Sequence, residues 1–405
     1  MPSNFGWVDL TENDRQEMLD IISLFKDQET RDELGVGTVR DAFSNYFFPG
    51  TSTIQTRARY MLFVPWIYTS LEQKSVGSDK ITNRAHNDEI KLIYALLKSE
   101  DLDGVIGRDA RDKLQRLPSS VYWTGLSSWG IKLFEGSQDQ YHRSLNAFYR
   151  RQRYVHQADD DDVFAPVIAN WDLGLPAPPD GFLDHTSLEL TWKEATYLKD
   201  KIQINHHSSL LAQLVDQDEL LDGYFLWQLP LIGHLPQQLR TLITHAHNFS
   251  ESIHGAFILY NLLLARLTYR EELINAYQEY LDKWQRKIIS RLDMLAPWAQ
   301  QREQFWSCTA LHQVQIPHPA RTFIDQWLDA LYADPFRSIS DDPKLETLIK
   351  YREYSLKKKR ARLQGGHALE IWSGASGLAQ LDFRWRIAKN ISNDIIRGLS
   401  RLNKE

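Results

Sequence analysis

Apolar residues recur at three- and four-residue intervals along most of the chain, which is the periodicity of helices with one buried face. The segment His86–Ser99 is a clear case, with Ile90 and Leu97 among its apolar positions. Thr191-Trp-Lys-Glu194 has the spacing of a capping box and predicts a helix to about Gln203. The pattern therefore predicts a mainly α, multi-lobed helical protein.

The N-terminal half carries a pattern compatible with a DNA-reading module. A helix start is predicted at Thr11–Asp14, and short helices are predicted over Arg108–Arg116 and from Pro118 to Gly130. Two short helices followed by Gly130–Phe134 have the outline of a helix-turn-helix or winged-helix module, which presents one helix to DNA. A generic helical hairpin would give the same pattern and remains the alternative.

The clearest domain boundary is acidic and rich in Pro and Gly. Asp159–Asp162 is a run of four aspartates, followed by a segment with several prolines and glycines. We expect the run to be a solvated loop, with a divalent-cation site as the alternative. The predicted organisation is a helical N-terminal domain over residues 1–158, a linker over 159–185, and a helical C-terminal domain with a basic end over 186–405.

Cysteine content and the lengths of the apolar stretches indicate the cellular location of the protein. Cys308 is the single cysteine of the 405 residues, so neither an intrachain disulfide nor a cysteine-rich zinc site can form. The N-terminus lacks a basic segment followed by an apolar core. Apolar stretches such as Met61–Tyr68 and Phe257–Ala265 are far shorter than the roughly 20 residues of a membrane span. We expect a cytoplasmic protein that does not contact the membrane.

The segment Pro49–Tyr60 places hydroxyls and two arginines ahead of an apolar run. A helix is predicted over Ile54–Leu71, kinked or split at Pro65. The hydroxyls favour capping of this helix, and the alternative is a phosphate site clamped by Arg57 or Arg59. The spacing matches neither a Walker P-loop nor a dinucleotide-binding fingerprint.

Charge is unevenly distributed along the chain. The net charge is −6, yet residues 350–405 hold 13 Lys and Arg against 5 Asp and Glu, a net +8. A long basic helix is predicted over Leu345–Leu363, with Trp372, Phe383 and Trp385 placed to stack on bases. The alternative is that Trp385 is a core residue and that the charges are solvated or pair with the acidic body of the protein. The candidate nucleic-acid-binding residues are Arg57, Arg59, Lys357, Lys358, Lys359, Arg360, Arg362, Arg384 and Arg386.

One histidine-rich stretch has the spacing of a metal-binding helix. His247, Glu251 and His254 share a helical face, and Glu-x-x-His is the spacing that di-metal carboxylate bundles use. Such bundles need a second Glu-x-x-His, which the sequence lacks. Gly255-Ala256 indicates a helix packed tightly against its neighbours. We therefore favour structural hydrogen bonding here and predict neither a metal nor another cofactor.

The order of motifs resembles an uncharacterised bacterial family of about this length, a domain of unknown function. The resemblance is carried by Phe5-Gly6-Trp7, the segment Arg31–Phe43, Pro49–Tyr60, Pro118–Trp123 and Arg384-Trp385. The resemblance implies a gene that lies beside those of helicases and phospholipase D-like nucleases in phage-defence islands. The resemblance implies a component of a defence system and supplies no catalytic residues.

Three functions are compatible with these features. The first is a non-catalytic DNA-binding or adaptor component of a bacterial anti-phage defence system, with DNA and helicase or nuclease subunits as partners. The second is a metal-dependent enzyme acting on nucleic acid through Glu251 and His254. The third is a protein-interaction scaffold for a helicase or nuclease. The basic C-terminal end favours the first.

Overall fold

The structure, a computed structural model, describes residues 32–158, 169–310 and 314–403. The helix start predicted at Thr11–Asp14 and the aspartates Asp159–Asp162 lie outside the described residues. Within those three ranges the chain forms fifteen α-helices and no strand, so the predicted mainly α fold class is confirmed.

The helices are numbered here in chain order. The α-helices are α1 (Gly37–Phe47), α2 (Tyr60–Gln73), α3 (Ile81–Leu96), α4 (Pro118–Ser128), α5 (Gln138–Ala158), α6 (Trp192–His206), α7 (Leu210–Leu214), α8 (Gln237–Leu267), α9 (Glu271–Ser290), α10 (Leu292–Gln300), α11 (Arg302–Thr309), α12 (His318–Ala333), α13 (Pro343–Lys357), α14 (His367–Glu370) and α15 (Trp385–Leu399). Single 3-10 turns include Arg111–Lys113, Lys358–Arg360 and Arg362–Gln364. None of the helices in the described part of the chain has the length and apolar character that crossing a membrane requires.

Contacts divide the chain into two compact units, each built from two chain segments. The first unit takes the described part of Met1–Ala42 together with Thr244–Leu381, and the second takes Phe43–Ile243 with the described part of Asp382–Glu405. The described part of the linker predicted over residues 159–185 falls inside the longer segment of the second unit. The predicted domain boundaries stay a prediction.

Helix α2 is the centre of the second unit. Every residue from Tyr60 to Tyr68 is buried, as expected of a helix that is apolar on all sides. The helix continues through Pro65, so this proline does not split it. The Tyr60 ring stacks on Tyr122 of α4 with ring centroids 5.3 Å apart.

The predicted helix-turn-helix or winged-helix module is not confirmed. The first predicted helix is represented by the 3-10 turn Arg111–Lys113 alone. Helix α4 buries most of its side chains, Tyr122 and Trp123 among them, in the second unit. Lys132 of the predicted wing forms one isolated bridge with Trp171 instead of a strand. Helix α4 therefore serves the core.

Helix α8 is the centre of the first unit, and the predicted tight packing at Gly255 is confirmed. Every residue from 248 to 265 is buried. A Cβ atom on Gly255 would collide with the Trp284 ring of α9, so only glycine permits this close approach. The indoles of Trp284 and of Trp327 in α12 donate to the α8 carbonyls of Glu251 and Ser252, each at 2.8 Å.

A buried carboxylate holds the start of helix α4. Glu89 of α3 accepts hydrogen bonds from the Ser119 backbone N–H at 2.8 Å and from its hydroxyl at 2.7 Å. Leu117, the N-cap residue of α4, has an apolar side chain that cannot cap the helix. The carboxylate of Glu89, which belongs to α3, instead accepts one of the free N–H groups at the start of α4. Burial raises the pKa of Glu89 from its ordinary 4.5 to about 7, although the bonds from Ser119 oppose the shift.

This raised pKa predicts that Glu89 lowers the stability of the fold as the pH increases. Below pH 4.5 the group is protonated in both the folded and the unfolded chain, and between pH 4.5 and about 7 only the unfolded chain ionises freely. Glu89→Gln cannot ionise. We therefore expect its free energy of unfolding, relative to the parent protein, to rise across this interval by up to about 3 kcal/mol. Urea unfolding at a series of pH values measures the difference, and a difference that does not change with pH would contradict the assignment.

Candidate nucleic-acid interface

The hydroxyls ahead of α2 do not cap that helix. Helix α2 begins at Tyr60 instead of Ile54, and its N-cap residue, Arg59, makes no capping bond through its side chain. Thr51 Oγ1 instead donates to the Phe48 carbonyl, just after the end of α1, at 2.7 Å. The capping prediction was wrong because this segment turns through residues 52–59 before the helix starts.

The anion position predicted beside Arg57 is occupied by a carboxylate of the chain itself. Both carboxylate oxygens of Asp394 in α15 lie 3.0 Å from Arg57 Nε, and the Ala58 backbone N–H donates to one of them at 2.9 Å. Asp101 accepts from Arg57 Nη1 at 2.8 Å. Burial lowers the pKa of Arg57, but the two carboxylates outweigh it, and the net shift is upward. The guanidinium is therefore a buried, fully charged partner of Asp394.

Arg59 is also buried and paired. Its Nη2 donates to Glu194 Oε1 at 2.7 Å, and its guanidinium lies 5.4 Å from the centre of the Phe63 ring. The other oxygen of Glu194 accepts from the Thr191 backbone N–H at 3.0 Å, which completes the predicted capping box of α6. One carboxylate thus caps α6 and neutralises Arg59. The phosphate-binding roles of Arg57 and Arg59 stay predictions, and neither side chain lies in solvent.

A cavity of about 370 Å³ opens beside Arg57 in the second unit, and polar side chains line most of it. Arg401 at its edge pairs with Glu189 at 2.9 Å. Arg397 is half-exposed and lies 3.9 Å from Asp394. The charges around the cavity are thus balanced by one another, and they do not define a ligand.

Two residues of the basic segment, Lys357 and Arg362, form ion pairs inside the first unit. Both contact the buried carboxylate of Glu33, and Arg362 Nη1 lies 2.7 Å from it. Lys357 also pairs with the buried Glu353 at 3.0 Å. Burial raises the pKa of Glu33. Hydrogen bonds from Lys357 and Ser376, together with the charges of Lys357 and Arg362, lower it by more, so the net shift of this pKa is downward. These two cations hold Glu33 against the basic segment.

The remaining cations of the segment, Lys358, Lys359 and Arg360, are exposed. The long helix predicted over Leu345–Leu363 ends at Lys357, because Lys358 has a backbone φ of +52° that an α-helix does not accommodate. Lys358–Arg360 form a 3-10 turn that exposes three consecutive positive charges to solvent.

Of the two arginines Arg384 and Arg386 in the second unit, one is bound within the fold and the other is exposed. Arg384 Nη1 donates to Asn45 Oδ1 at 2.8 Å and to the Thr51 carbonyl at 2.9 Å, whereas Arg386 is exposed. The aromatic residues expected to stack on bases are Trp372, Phe383 and Trp385, and all three are at most 2% exposed. All three are core residues, which the alternative interpretation had expected of Trp385.

A different pair of aromatics is exposed beside the basic turn. Tyr351 and Tyr354 of α13 are 69% and 46% exposed. The Lys358 ammonium lies 5.5 Å from the centre of the Tyr354 ring. These two tyrosines were not among the predicted binding residues, because the candidates in this segment were chosen by charge. The sequence around them does not distinguish exposed tyrosines from buried ones.

The histidine cluster on α8 is used in buried ion pairing. Glu251 contacts Arg291 and lies 3.0 Å from Lys287 Nζ, and His247 Nε2 lies 2.9 Å from the same carboxylate. His254 Nε2 lies 3.0 Å from the Leu378 carbonyl. Burial lowers the pKa of His254 to about 4. Within the described ranges, no group of three or more His, Cys, Asp or Glu side chains is placed to hold a metal ion.

These observations define the class of the protein: it is mainly α-helical, with a short exposed basic and aromatic surface at the end of α13. The model of a family of unknown function, DUF6361, matches residues 2–397, and the chain belongs to this family. No curated protein and no solved structure matches the chain. The family match confirms the resemblance to an uncharacterised family, while the phage-defence setting stays a prediction.

The buried pair predicts that Arg57 acts on stability. Arg57→Gln removes the partner of Asp394 and leaves its carboxylate buried, so we expect the free energy of unfolding to fall by about 3–5 kcal/mol. The matched control is Arg386→Gln, an exposed arginine in the same unit, for which we expect a change within about 0.5 kcal/mol. Urea unfolding measures both variants. Equal unfolding midpoints would show that the Arg57–Asp394 pair does not hold the unit together.

Proposed function

We propose that this protein is a non-catalytic DNA-binding or adaptor component of a bacterial anti-phage defence system. The observation that carries the proposal is the exposed run Lys358-Lys359-Arg360, which presents three consecutive positive charges on a turn. Lysine and arginine neutralise phosphates and release the counterions of nucleic acids, and this effect supplies most of the affinity of binding that is independent of sequence.

Burial and ion pairing separate these three residues from the neighbouring cations of the same segment. Arg352 donates to the backbone carbonyls of Leu34 and Gly35, and Lys357 and Arg362 pair with Glu33. A cation held in such a pair contributes little to phosphate binding, because it would first have to leave its partner uncompensated. The proposal therefore places phosphate contact on the exposed run and gives the paired cations a supporting role.

The defence setting rests on the resemblance described above, in which related genes lie beside helicases and phospholipase D-like nucleases. A DNA-binding or adaptor subunit fits such a setting, because the partners would supply the catalysis. The metal-dependent alternative has no comparable support, since Glu251 is held by Arg291 and Lys287.

Charge reversal tests the proposal. The triple variant Lys358→Glu, Lys359→Glu and Arg360→Glu should bind labelled DNA more weakly. The slope of the logarithm of affinity against the logarithm of salt concentration should also become shallower by about 2–3. Fluorescence anisotropy of the purified protein with duplex and single-stranded DNA, across a potassium chloride series, measures both quantities.

The matched control is Lys74→Glu, Lys80→Glu and Arg84→Glu, which changes the net charge equally at exposed positions of the second unit. This control should retain most of the affinity and the parent salt slope. Equal losses in both triple variants would mean that net charge alone governs binding. Absence of binding by the parent protein at low salt would overturn the proposal and favour docking of a protein partner.

A further inference from the structure

Helix α13 carries an exposed stripe that ends at the basic turn. The stripe consists of Lys344, Thr347, Tyr351, Tyr354 and Lys358, all of them exposed. The four residues of the stripe that lie within α13 are spaced by three, four and three residues, which places them along one face of the helix. Lys358 lies in the turn that follows, with its ammonium 5.5 Å from the centre of the Tyr354 ring. With a rise of 1.5 Å per residue, the part of the stripe from Lys344 to Tyr354 is about 15 Å long. Its lysines lie at the two ends and its tyrosines between them.

We propose that this stripe binds single-stranded nucleic acid in preference to duplex. The inference rests on the proposed function and assigns a substrate class to the same surface. Single strands are bound by a positive surface that follows the phosphates together with aromatic side chains on which successive bases stack. The stripe has both components within one helix face.

The tyrosines of the stripe differ from the buried tyrosines of the first unit. Tyr260 and Tyr277 are buried and donate hydrogen bonds to Glu353 and to the Gly374 carbonyl. Tyr351 and Tyr354 instead expose 69% and 46% of their surface. Adjacent exposed rings one helical turn apart offer two stacking faces to a flexible chain.

The charge of the helix face complements phosphate. Helix α13 contains two carboxylates, Glu346 and Glu353, and neither belongs to the stripe. Glu346 pairs with Arg266 at 3.2 Å and with Lys350 at 3.1 Å. Glu353 is fully buried. Neither carboxylate of α13 therefore lies among the lysines and aromatic rings of the stripe, which favours a polyanion as its ligand.

Duplex DNA can use only part of this surface. Its bases are stacked on one another inside the helix, so the tyrosine rings have no free base to cover, while its phosphates can still contact the lysines. Single strands present unstacked bases as well as phosphates. The tyrosines should therefore contribute to the affinity for single strands and very little to the affinity for duplex.

The experiment compares the double variant Tyr351→Ala, Tyr354→Ala with the parent protein. The probes are a fluorescein-labelled oligothymidylate and a labelled duplex of the same length, titrated by anisotropy. We expect the affinity for the oligothymidylate to fall by at least about tenfold, because each stacked base is worth about fivefold or more and the variant removes two rings. The affinity for duplex should change by less than about twofold, and the salt slope should not change, because no charge is removed.

Two control variants make the result specific. Tyr351→Phe with Tyr354→Phe keeps both rings and should retain the parent affinity for the single strand. Tyr94→Ala removes a tyrosine that is 40% exposed in the second unit and should change neither affinity. Circular dichroism of each variant checks that the helices are intact.

The outcomes separate this inference from the proposed function. Equal affinity of the double alanine variant and the parent for the oligothymidylate, while the charge-reversal variant loses DNA binding, would overturn the inference and leave the proposed function standing. Equal loss for duplex and single strand would overturn the single-strand preference. Absence of binding to either probe by the parent protein would overturn both, and would make the tyrosines a docking face for a protein.

Discussion

A positive charge buried away from water must be compensated by acceptors beside it, most effectively by a carboxylate, and this constraint organises the second unit. Arg57 precedes α2, and its partner Asp394 lies in α15, at the other end of the chain. Arg59, two residues later, takes Glu194 from α6. Helices α6 and α15 also approach closely at Gly398, where a Cβ would press on Ala195. Two adjacent arginines thus tie the segment before α2 to both of these helices.

The same constraint sorts the cations of the first unit into structural and available groups. Glu33 and Glu353 are buried and require Lys357 and Arg362, so these two residues belong to the core despite lying in a basic run. Lys358–Arg360 follow a backbone reversal that carries them outward. The cations of the basic segment therefore fall into two groups, one paired with buried carboxylates and one exposed to solvent. The exposed group is the surface that we propose binds phosphate.

Local features of the fold followed from the sequence, whereas long-range pairing did not. The capping box of α6 depends on residues three positions apart and was predicted correctly. The small residues Gly255 and Ala256 correctly indicated close packing, but not its partner, Trp284 of α9. The hydroxyls and arginines of residues 51–59 indicated an anion beside Arg57. They could not identify this anion as Asp394, because Asp394 lies 337 residues from Arg57 in the chain. The end of α13 was missed because Lys358 adopts a positive φ without being glycine. The exposure of Tyr351 and Tyr354 could not be predicted either, since tyrosine is as common in cores as on surfaces.

The most direct test of the account is where a bound strand touches the protein. Oligonucleotides carrying bromodeoxyuridine can be crosslinked to the purified protein by light, and the modified peptides identified by mass spectrometry after proteolysis. The account predicts adducts on peptides from α13, at Tyr351 or Tyr354. Adducts concentrated on the peptides that contain Arg57 and Arg59 would contradict it, because they would place nucleic acid at residues that the fold uses as buried partners of Asp394 and Glu194.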